Sequence, residues 1–342
     1  MSLRRIPKAA LRHTAGGFNW ALRHTVGLEV NHAAGHRSWR IPPPRQGRLL
    51  VEPIFILSAA RSGSTLLRAI LDSHSELYGP PELPLKHLAA RAESKWIQTS
   101  MEALRLTQDD LDKMLWDHVL ADVLARSGKP TIVVKTPANV LAWKEIANCW
   151  PDARYIFLLR HPGAAVASLN KGWNPEWHQQ RGFGTLDEAV RKAQRYMNKV
   201  EEARRALTGL TVRYEELTAS PETEVPRICE FLGVPFEATM LDYGRFPHGS
   251  FAAGLGDASV KIRSGRIQPG TPPPSPEETP AAFKDLCAAW GYPEPAPAQA
   301  HSPGPVPAQP QSPDVGHSVV KPRPAADEAM PVADETADEA AR

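Results

Sequence analysis

The chain has 342 residues and a nearly balanced charge, with 40 Lys and Arg against 38 Asp and Glu, so its formal net charge of +2 does not favour nucleic-acid binding. It lacks the run of about 18 apolar residues that a membrane-spanning helix needs. Its three cysteines have no CxxC or Cys/His spacing, which argues against structural zinc and favours buried, reduced thiols.

Composition divides the chain into three segments. Residues 1–48 are basic, with Glu29 as the only acid. They predict an N-terminal extension. This extension is either an arm that is solvated or packed on the core, or one that docks on a partner or an anionic surface. Residues 49–296 are predicted to form the folded domain, and residues 297–342, rich in Ala, Pro, Asp and Glu, a disordered tail. No apolar run follows the N-terminal arginines, so we expect no signal peptide and a cytoplasmic location.

Short apolar runs alternate with helical patterns along the predicted domain. Residues 53–58 predict a buried strand, and the i, i+3, i+4 spacing of apolar residues from 65 to 73 predicts a helix directly after it. Three further strands are predicted at residues 131–135, 154–160 and 209–214. This alternation predicts an α/β fold of the P-loop-like, three-layer type, with a central parallel sheet flanked by helices.

The loop after the first predicted strand is a candidate anion site. It joins a buried strand to a helix, so backbone N–H groups and the helix N-terminus converge there. A Walker A loop has Lys directly before its hydroxyl residue, and Ser64 stands at that position, which disfavours an ordinary kinase. The candidate phosphate-binding residues are Arg61, Ser62, Gly63, Ser64 and Thr65. The alternative is a plain turn whose Ser and Thr cap the helix.

A second candidate site follows the third of these strands. Arg160 lies at its carboxyl end, and Ser168 lies about two turns into the next predicted helix. Ligands bind at this edge of open α/β sheets. Two phosphate-binding elements, each directly after a buried strand, are far more specific than either element alone.

The two elements together resemble the cofactor motifs of sulfotransferases that use 3′-phosphoadenosine 5′-phosphosulfate (PAPS). Residues 61–65 are similar to the phosphosulfate loop of the branch that has Arg where cytosolic enzymes have Lys, a branch that includes bacterial and tyrosylprotein sulfotransferases. Arg160 and Ser168 match the Arg and Ser that grip the 3′-phosphate, although His161 stands where the family usually has Asp. Further matches, in the family's order, are Lys135-Thr136-Pro137, residues 212–217 and residues 231–235, so that the resemblance covers roughly residues 52–290.

The resemblance implies a sulfotransferase that uses PAPS as co-substrate and needs no metal. It implies that residues 61–65 hold the 5′-phosphosulfate and that Tyr214 lies near the nucleotide. It also implies that the segment 259–266 covers the cofactor, with Lys261 and Arg266 as phosphate contacts. The sequence itself offers no HxxxH or DxD arrangement that would hold a metal ion.

Glu82 is the first candidate for a general base. Two prolines before it fix the local backbone, and in the arginine-type branch a catalytic Glu stands at the same distance from the loop Arg. The alternative is a surface acid or a helix cap. His74 and His87 are the competing bases, each expected to be a surface or outer histidine. Lys135 ends a predicted strand at the ligand edge, where it would either stabilise the leaving phosphate or cap the sheet. Arg61 would stabilise the negative charge that develops on the bridging oxygen.

The acceptor side of the site is less defined by the sequence. Several aromatic residues predict either an aromatic acceptor cleft or core packing: Trp143, Trp150, Trp173, Trp177 and Tyr196. Residues 171–175 are the candidate substrate-side loop, because they follow the phosphate helix without matching a cofactor motif.

The leading hypothesis is a sulfotransferase acting on a hydroxyl of a small molecule such as an alcohol, phenol, sugar or lipid, in the manner of natural-product biosynthesis. One alternative is a nucleotide-dependent kinase with an atypical phosphate loop. The other is a non-catalytic interaction protein on the same fold, working through its basic arm and its tail.

Overall fold

A computed structural model describes residues 47–171, 185–249, 256–257 and 259–294. Nearly all of the predicted N-terminal extension and the whole predicted tail lie outside these ranges, as do Trp173 and Trp177. Within the described ranges, no helix is both long and apolar enough to cross a membrane.

A parallel five-stranded sheet forms the centre of the domain. Its order is β2-β3-β1-β4-β5, and every pairing is parallel, which confirms the predicted sheet. The strands are β1 (Ile54–Ser58), β2 (Leu77–Tyr78), β3 (Thr131–Lys135), β4 (Arg154–Leu159) and β5 (Leu210–Arg213). The two-residue strand β2 was not predicted, because it is too short for a periodic pattern. Since β1 lies between β3 and β4, the carboxyl ends of these three strands meet at one edge, where open α/β sheets bind ligands.

Helices surround the sheet. The α-helices described are α1 (Ser64–Asp72), α2 (Lys95–Ala103), α3 (Gln108–Ser127), α4 (Trp143–Cys149), α5 (Pro162–Lys171), α6 (Leu186–Ala206), α7 (Tyr214–Ala219), α8 (Pro221–Leu232), α9 (Val260–Arg263) and α10 (Lys284–Trp290). Short 3₁₀ helices span Leu85–His87, Pro137–Ala142, Ala238–Arg245 and Ala281–Phe283. The long helix α3 begins with a capping box between Thr107 and Asp110 and ends at Gly128, whose left-handed backbone suits glycine.

Two apolar layers enclose the sheet because successive residues of each buried strand point to opposite faces. Phe55 and Phe157 pack in one layer, and Ile54 and Ile156 pack in the other. The sheet between two helical layers confirms the predicted three-layer α/β fold.

Several side chains that the sequence left open belong to this core. Trp143 and Trp150 are buried in the layer that contains Phe55, and the partly buried Tyr196 packs against the same layer. The three cysteines are buried and unpaired, as predicted. Burial raises the pKa of Cys149 to about 12, so this thiol stays protonated and inert at neutral pH.

Candidate active site

The loop between β1 and α1 is shaped for an anion. Arg61 and Gly63 both adopt left-handed backbone conformations, with φ of 65° and 87°. Alternating backbone conformations of this kind turn successive N–H groups towards one side of a loop. Gly63 is the N-cap of α1, and no side chain caps this helix, so the interpretation of Ser64 and Thr65 as caps is wrong. The first turn of α1 contains no acid and offers its N–H groups at the positive end of the helix dipole.

The two predicted phosphate elements touch each other directly. Arg160, at the end of β4, donates a hydrogen bond of 2.7 Å from Nη1 to the backbone carbonyl of Arg61. The Nε of Arg61 in turn donates to Ser168 Oγ, at 3.2 Å. These two hydrogen bonds connect residues that are far apart in the sequence into one group at the carboxyl edge of the sheet.

Arg160 is a buried cation with one N–H group that has no hydrogen-bond partner among the described residues. Its side chain is largely buried over the Tyr214 ring, with Cζ 4.6 Å from the ring centroid, and its Nε has no hydrogen-bond partner within the part of the chain that the structure describes. Burial lowers the pKa of Arg160, the nearby Arg61 lowers it further, and Tyr214 and Glu215 oppose the shift. Because a buried charge is costly unless it is paired, this side chain fits an anionic ligand.

Tyr214 also packs on the phosphate loop. A Cβ atom built on Gly63 would overlap the Tyr214 ring. Only glycine therefore fits between the loop and this ring, and Tyr214 contacts both candidate phosphate elements, through Gly63 and through Arg160.

We expect Gly63→Ala to lower the free energy of unfolding by about 1–3 kcal/mol more than Gly128→Ala does. Both glycines have a positive φ, so backbone strain is similar in the two variants, but a Cβ on Gly128 meets nothing within 4 Å. Urea denaturation measures the difference. Equal losses in the two variants would contradict the close packing of Tyr214 on the loop.

Glu82 forms an ion pair with Lys135. The Lys135 side chain, fully buried at the end of β3, contacts Glu82 Oε1 and donates to Thr65 Oγ1 at 3.3 Å. Burial lowers the pKa of Lys135, and the Glu82 carboxylate counteracts part of that shift. The Glu82 side chain is only 16% exposed, so the interpretation of Glu82 as a surface acid is wrong. The carboxylate lies one side chain away from the phosphate loop.

The segment before Glu82 is clamped by helix α1. The Gly79 N–H donates to Asp72 Oδ1 at 2.8 Å, and Arg68 Nη1 donates to the Gly79 carbonyl at 2.6 Å. Both charged side chains are buried, and His248 completes the group with Nδ1 2.7 Å from Asp72 Oδ2. The sequence reasoning missed these residues, although Arg68 and Asp72 are visible as charges four residues apart in an otherwise apolar stretch.

The segment after Glu82 is anchored by the residues that follow β3. The Leu83 N–H donates to Thr136 Oγ1 at 2.9 Å, and Asn139 Nδ2 donates to the Leu83 carbonyl at 3.2 Å. The Lys135-Thr136-Pro137 motif thus supplies both the cation that contacts Glu82 and a hydroxyl that fixes its backbone. With anchors on both sides, the position of the carboxylate is restricted.

Neither competing histidine is brought to this group. His74 is fully buried, so the interpretation of His74 as a surface histidine is wrong. Its Nδ1 accepts from the Glu76 N–H at 2.9 Å, and its Nε2 lies 2.7 Å from the Pro235 carbonyl, so both ring nitrogens are engaged elsewhere. His87 is exposed on the 3₁₀ helix that follows the Glu82 segment.

The segment 259–266 divides between two places. Lys261, on α9, lies close enough to Arg160 for the like charge to add to the burial that lowers the pKa of Lys261. Arg266 instead lies exposed in a shallow surface depression that Glu222 and Asp242 also line. The Lys261 ammonium donates to the Pro269 carbonyl at 2.5 Å, and both Lys261 and Arg266 stay predicted phosphate contacts.

Asp257 is a site residue that the sequence reasoning did not identify. Its carboxylate lies 3.4 Å from Arg61 Nη1, and its backbone N–H donates to Thr65 Oγ1 at 3.0 Å. Among the described residues there is no cluster of three or more His, Cys, Asp or Glu side chains suited to a metal ion. Residues 172–184 and 250–255, which include most of the predicted substrate-side loop, lie outside the described ranges.

Comparisons with known proteins agree on one family. The model of the Sulfotransferase family matches residues 53–238. A "Protein-tyrosine sulfotransferase" of Drosophila melanogaster is 25% identical over 56% of this chain and 40% of its own length. The "Nodulation protein NoeE" of Sinorhizobium fredii is 29% identical over 52% of this chain and 49% of its own length. The chain thus spans less than half the length of these two relatives.

A solved structure described as "Sulfotransferase Domain from the Curacin Biosynthetic Pathway" is also similar. It covers 72% of this chain and 99% of its own, with 24% identity and a TM-score of 0.49.

Proposed function

Since the chain belongs to the sulfotransferase family, we propose that it transfers a sulfuryl group from PAPS to a hydroxyl of a small-molecule acceptor. One observation carries the proposal: the two strand-end loops, each a candidate anion site, are joined by the hydrogen bond from Arg160 to the Arg61 carbonyl. A nucleotide with phosphates at both its 3′ and 5′ positions matches two linked cationic elements better than a simple phosphate does.

The residues present fit the donor. Arg160 has a buried Nε that lacks a partner among the described groups, and the left-handed backbone of Arg61 and Gly63 turns loop N–H groups towards one side. Residues 61–65 would hold the 5′-phosphosulfate, and Arg160, Ser168 and Lys261 would hold the 3′-phosphate. When bound, PAPS supplies the sulfuryl group and a bisphosphate leaving group.

Glu82 is the proposed general base. Its carboxylate accepts the proton of the acceptor hydroxyl while the acceptor oxygen bonds to sulfur and the bond from sulfur to the bridging oxygen breaks. Lys135, which touches both Glu82 and Thr65, and Arg61 stabilise the negative charge that develops on the departing oxygen. The protein's contribution is therefore to align the two oxygens and to stabilise charge, as in phosphoryl transfer.

A tyrosyl side chain of a peptide is the second candidate acceptor. It is favoured by several relatives whose names are protein-tyrosine sulfotransferase. A phenolic hydroxyl would present the same proton to Glu82, so the site chemistry is common to both acceptor classes.

Transfer of radioactive sulfate from labelled PAPS tests the function. We would offer the full chain simple phenols, alcohols and sugars beside tyrosine-containing peptides, with heat-treated protein as the blank. Labelling of a small molecule supports the proposal, and labelling of peptides alone supports the second candidate. Phosphorylation of the same acceptors with ATP and magnesium, in place of sulfation, would contradict both.

A further inference from the structure

Asp257 joins the phosphate loop to the segment that leads into α9. Its Oδ1 accepts a hydrogen bond from the Ser259 N–H at 3.0 Å and lies 3.4 Å from Arg61 Nη1. Arg61 is therefore held from two sides, since its Nε also donates to Ser168 Oγ. A guanidinium fixed at two edges keeps one orientation towards a ligand.

Asp257 also determines the role of the Thr65 hydroxyl. The Thr65 oxygen receives two hydrogen bonds, one from the Asp257 N–H at 3.0 Å and one from Lys135 Nζ at 3.3 Å. A hydroxyl has a single hydrogen and two lone pairs. With both lone pairs engaged, the Thr65 hydrogen is directed away from these two donors and is available to a third group.

Gly256 brings this segment close to the reacting groups. Its φ of 140° suits glycine, and a Cβ built on it would lie 3.2 Å from Thr65 Oγ1 and 3.7 Å from Lys135 Nζ. The close backbone approach places residues 256–257 against Thr65 and Lys135. Lys135 contacts Glu82, and Thr65 accepts a hydrogen bond from Lys135. The segment thus lies at the end of the phosphate loop where the sulfuryl group is proposed to react.

We propose that Asp257 is a positioning residue that orients Arg61 and Thr65 for sulfuryl transfer at the expense of donor affinity. This inference rests on the proposed function. The Asp257 carboxylate affects the chemical step and the binding of the donor in opposite directions. A carboxylate beside Arg61 fixes the guanidinium, which favours the chemical step, but its negative charge repels an anionic ligand on the same guanidinium, which weakens ground-state binding.

The matched substitution is Asp257→Asn. Asparagine keeps an Oδ1 acceptor for the Ser259 N–H and leaves the backbone bond to Thr65 in place, so that the charge is the main change. We expect adenosine 3′,5′-bisphosphate to bind roughly three- to tenfold more tightly by calorimetry. We expect single-turnover release of sulfate from labelled PAPS to water, which needs no acceptor, to fall about tenfold.

Asp122→Asn is the control, because it removes the same charge from an exposed Asp122–Arg126 pair on α3. This control should leave both measurements unchanged. A purely structural role for Asp257 would weaken binding and turnover together, and either that result or no change in Asp257→Asn would overturn the inference. Failure of the unmodified chain to bind the bisphosphate would instead refute the proposed function itself.

Discussion

Replacing Glu82 with glutamine is expected to lower the turnover number for sulfuryl transfer by about 10²–10⁴-fold. Glutamine has nearly the same shape but does not accept the hydroxyl proton. The change also removes the carboxylate that raises the pKa of Lys135, so the pKa of Lys135, already lowered by burial, falls further.

The bisphosphate affinity of Glu82→Gln should stay near that of the unmodified chain, because the contacts with the two phosphate elements are intact. Glu202→Gln is the control, since Glu202 forms a surface ion pair with Lys144 at 3.1 Å. Steady-state rates with labelled PAPS and an accepted phenol or alcohol make the comparison. Unchanged turnover in Glu82→Gln would remove Glu82 from the mechanism.

Replacing Arg160 with alanine is expected to weaken binding of adenosine 3′,5′-bisphosphate roughly 100-fold. A hydrogen bond to a charged group contributes about 1.5–3 kcal/mol, and the buried guanidinium offers more than one donor to the 3′-phosphate. Adenosine 5′-monophosphate lacks that phosphate, so its affinity should change much less. The ratio of the two dissociation constants, measured by calorimetry, therefore reports on the 3′-phosphate alone.

Arg160→Lys provides a second variant in which the charge remains. Lysine is a point charge without the planar fork of donors, so we expect an intermediate loss of bisphosphate affinity. Thermal unfolding of both variants checks that they fold, since Arg160 also donates to the Arg61 carbonyl. Equal losses of affinity for both nucleotides would show that Arg160 does not read the 3′-phosphate.

The sheet, and the position of the two candidate phosphate elements at its carboxyl edge, could be predicted because each depends on a short stretch of sequence. Each buried strand is a short apolar run, and the carboxyl ends of parallel strands meet at one edge of the sheet. Arg61 and Arg160 each follow such a strand directly, so their meeting follows from the topology. The predicted strand ends differ from those observed by one residue at most.

Other parts of the site depend on contacts between distant segments, which no periodicity reveals. His248 reaches Asp72 across 176 positions, and Asp257 reaches Thr65 across 192. The burial of His74 could not be predicted either, because its partner, the Pro235 carbonyl, lies 161 positions away. Arg266 matched a loose sequence motif, and its position beside Glu222 and Asp242 in a surface depression could not be predicted from that motif.

The joined phosphate elements are proposed to bind a nucleotide with phosphates at both its 3′ and 5′ positions. Calorimetric titration of the full chain with adenosine 3′,5′-bisphosphate tests this proposal most directly, with ATP and magnesium as the parallel titration. We predict saturable binding of the bisphosphate in the nanomolar-to-micromolar range and much weaker binding of ATP. Preference for ATP with magnesium, or no binding of the bisphosphate, would contradict the proposal.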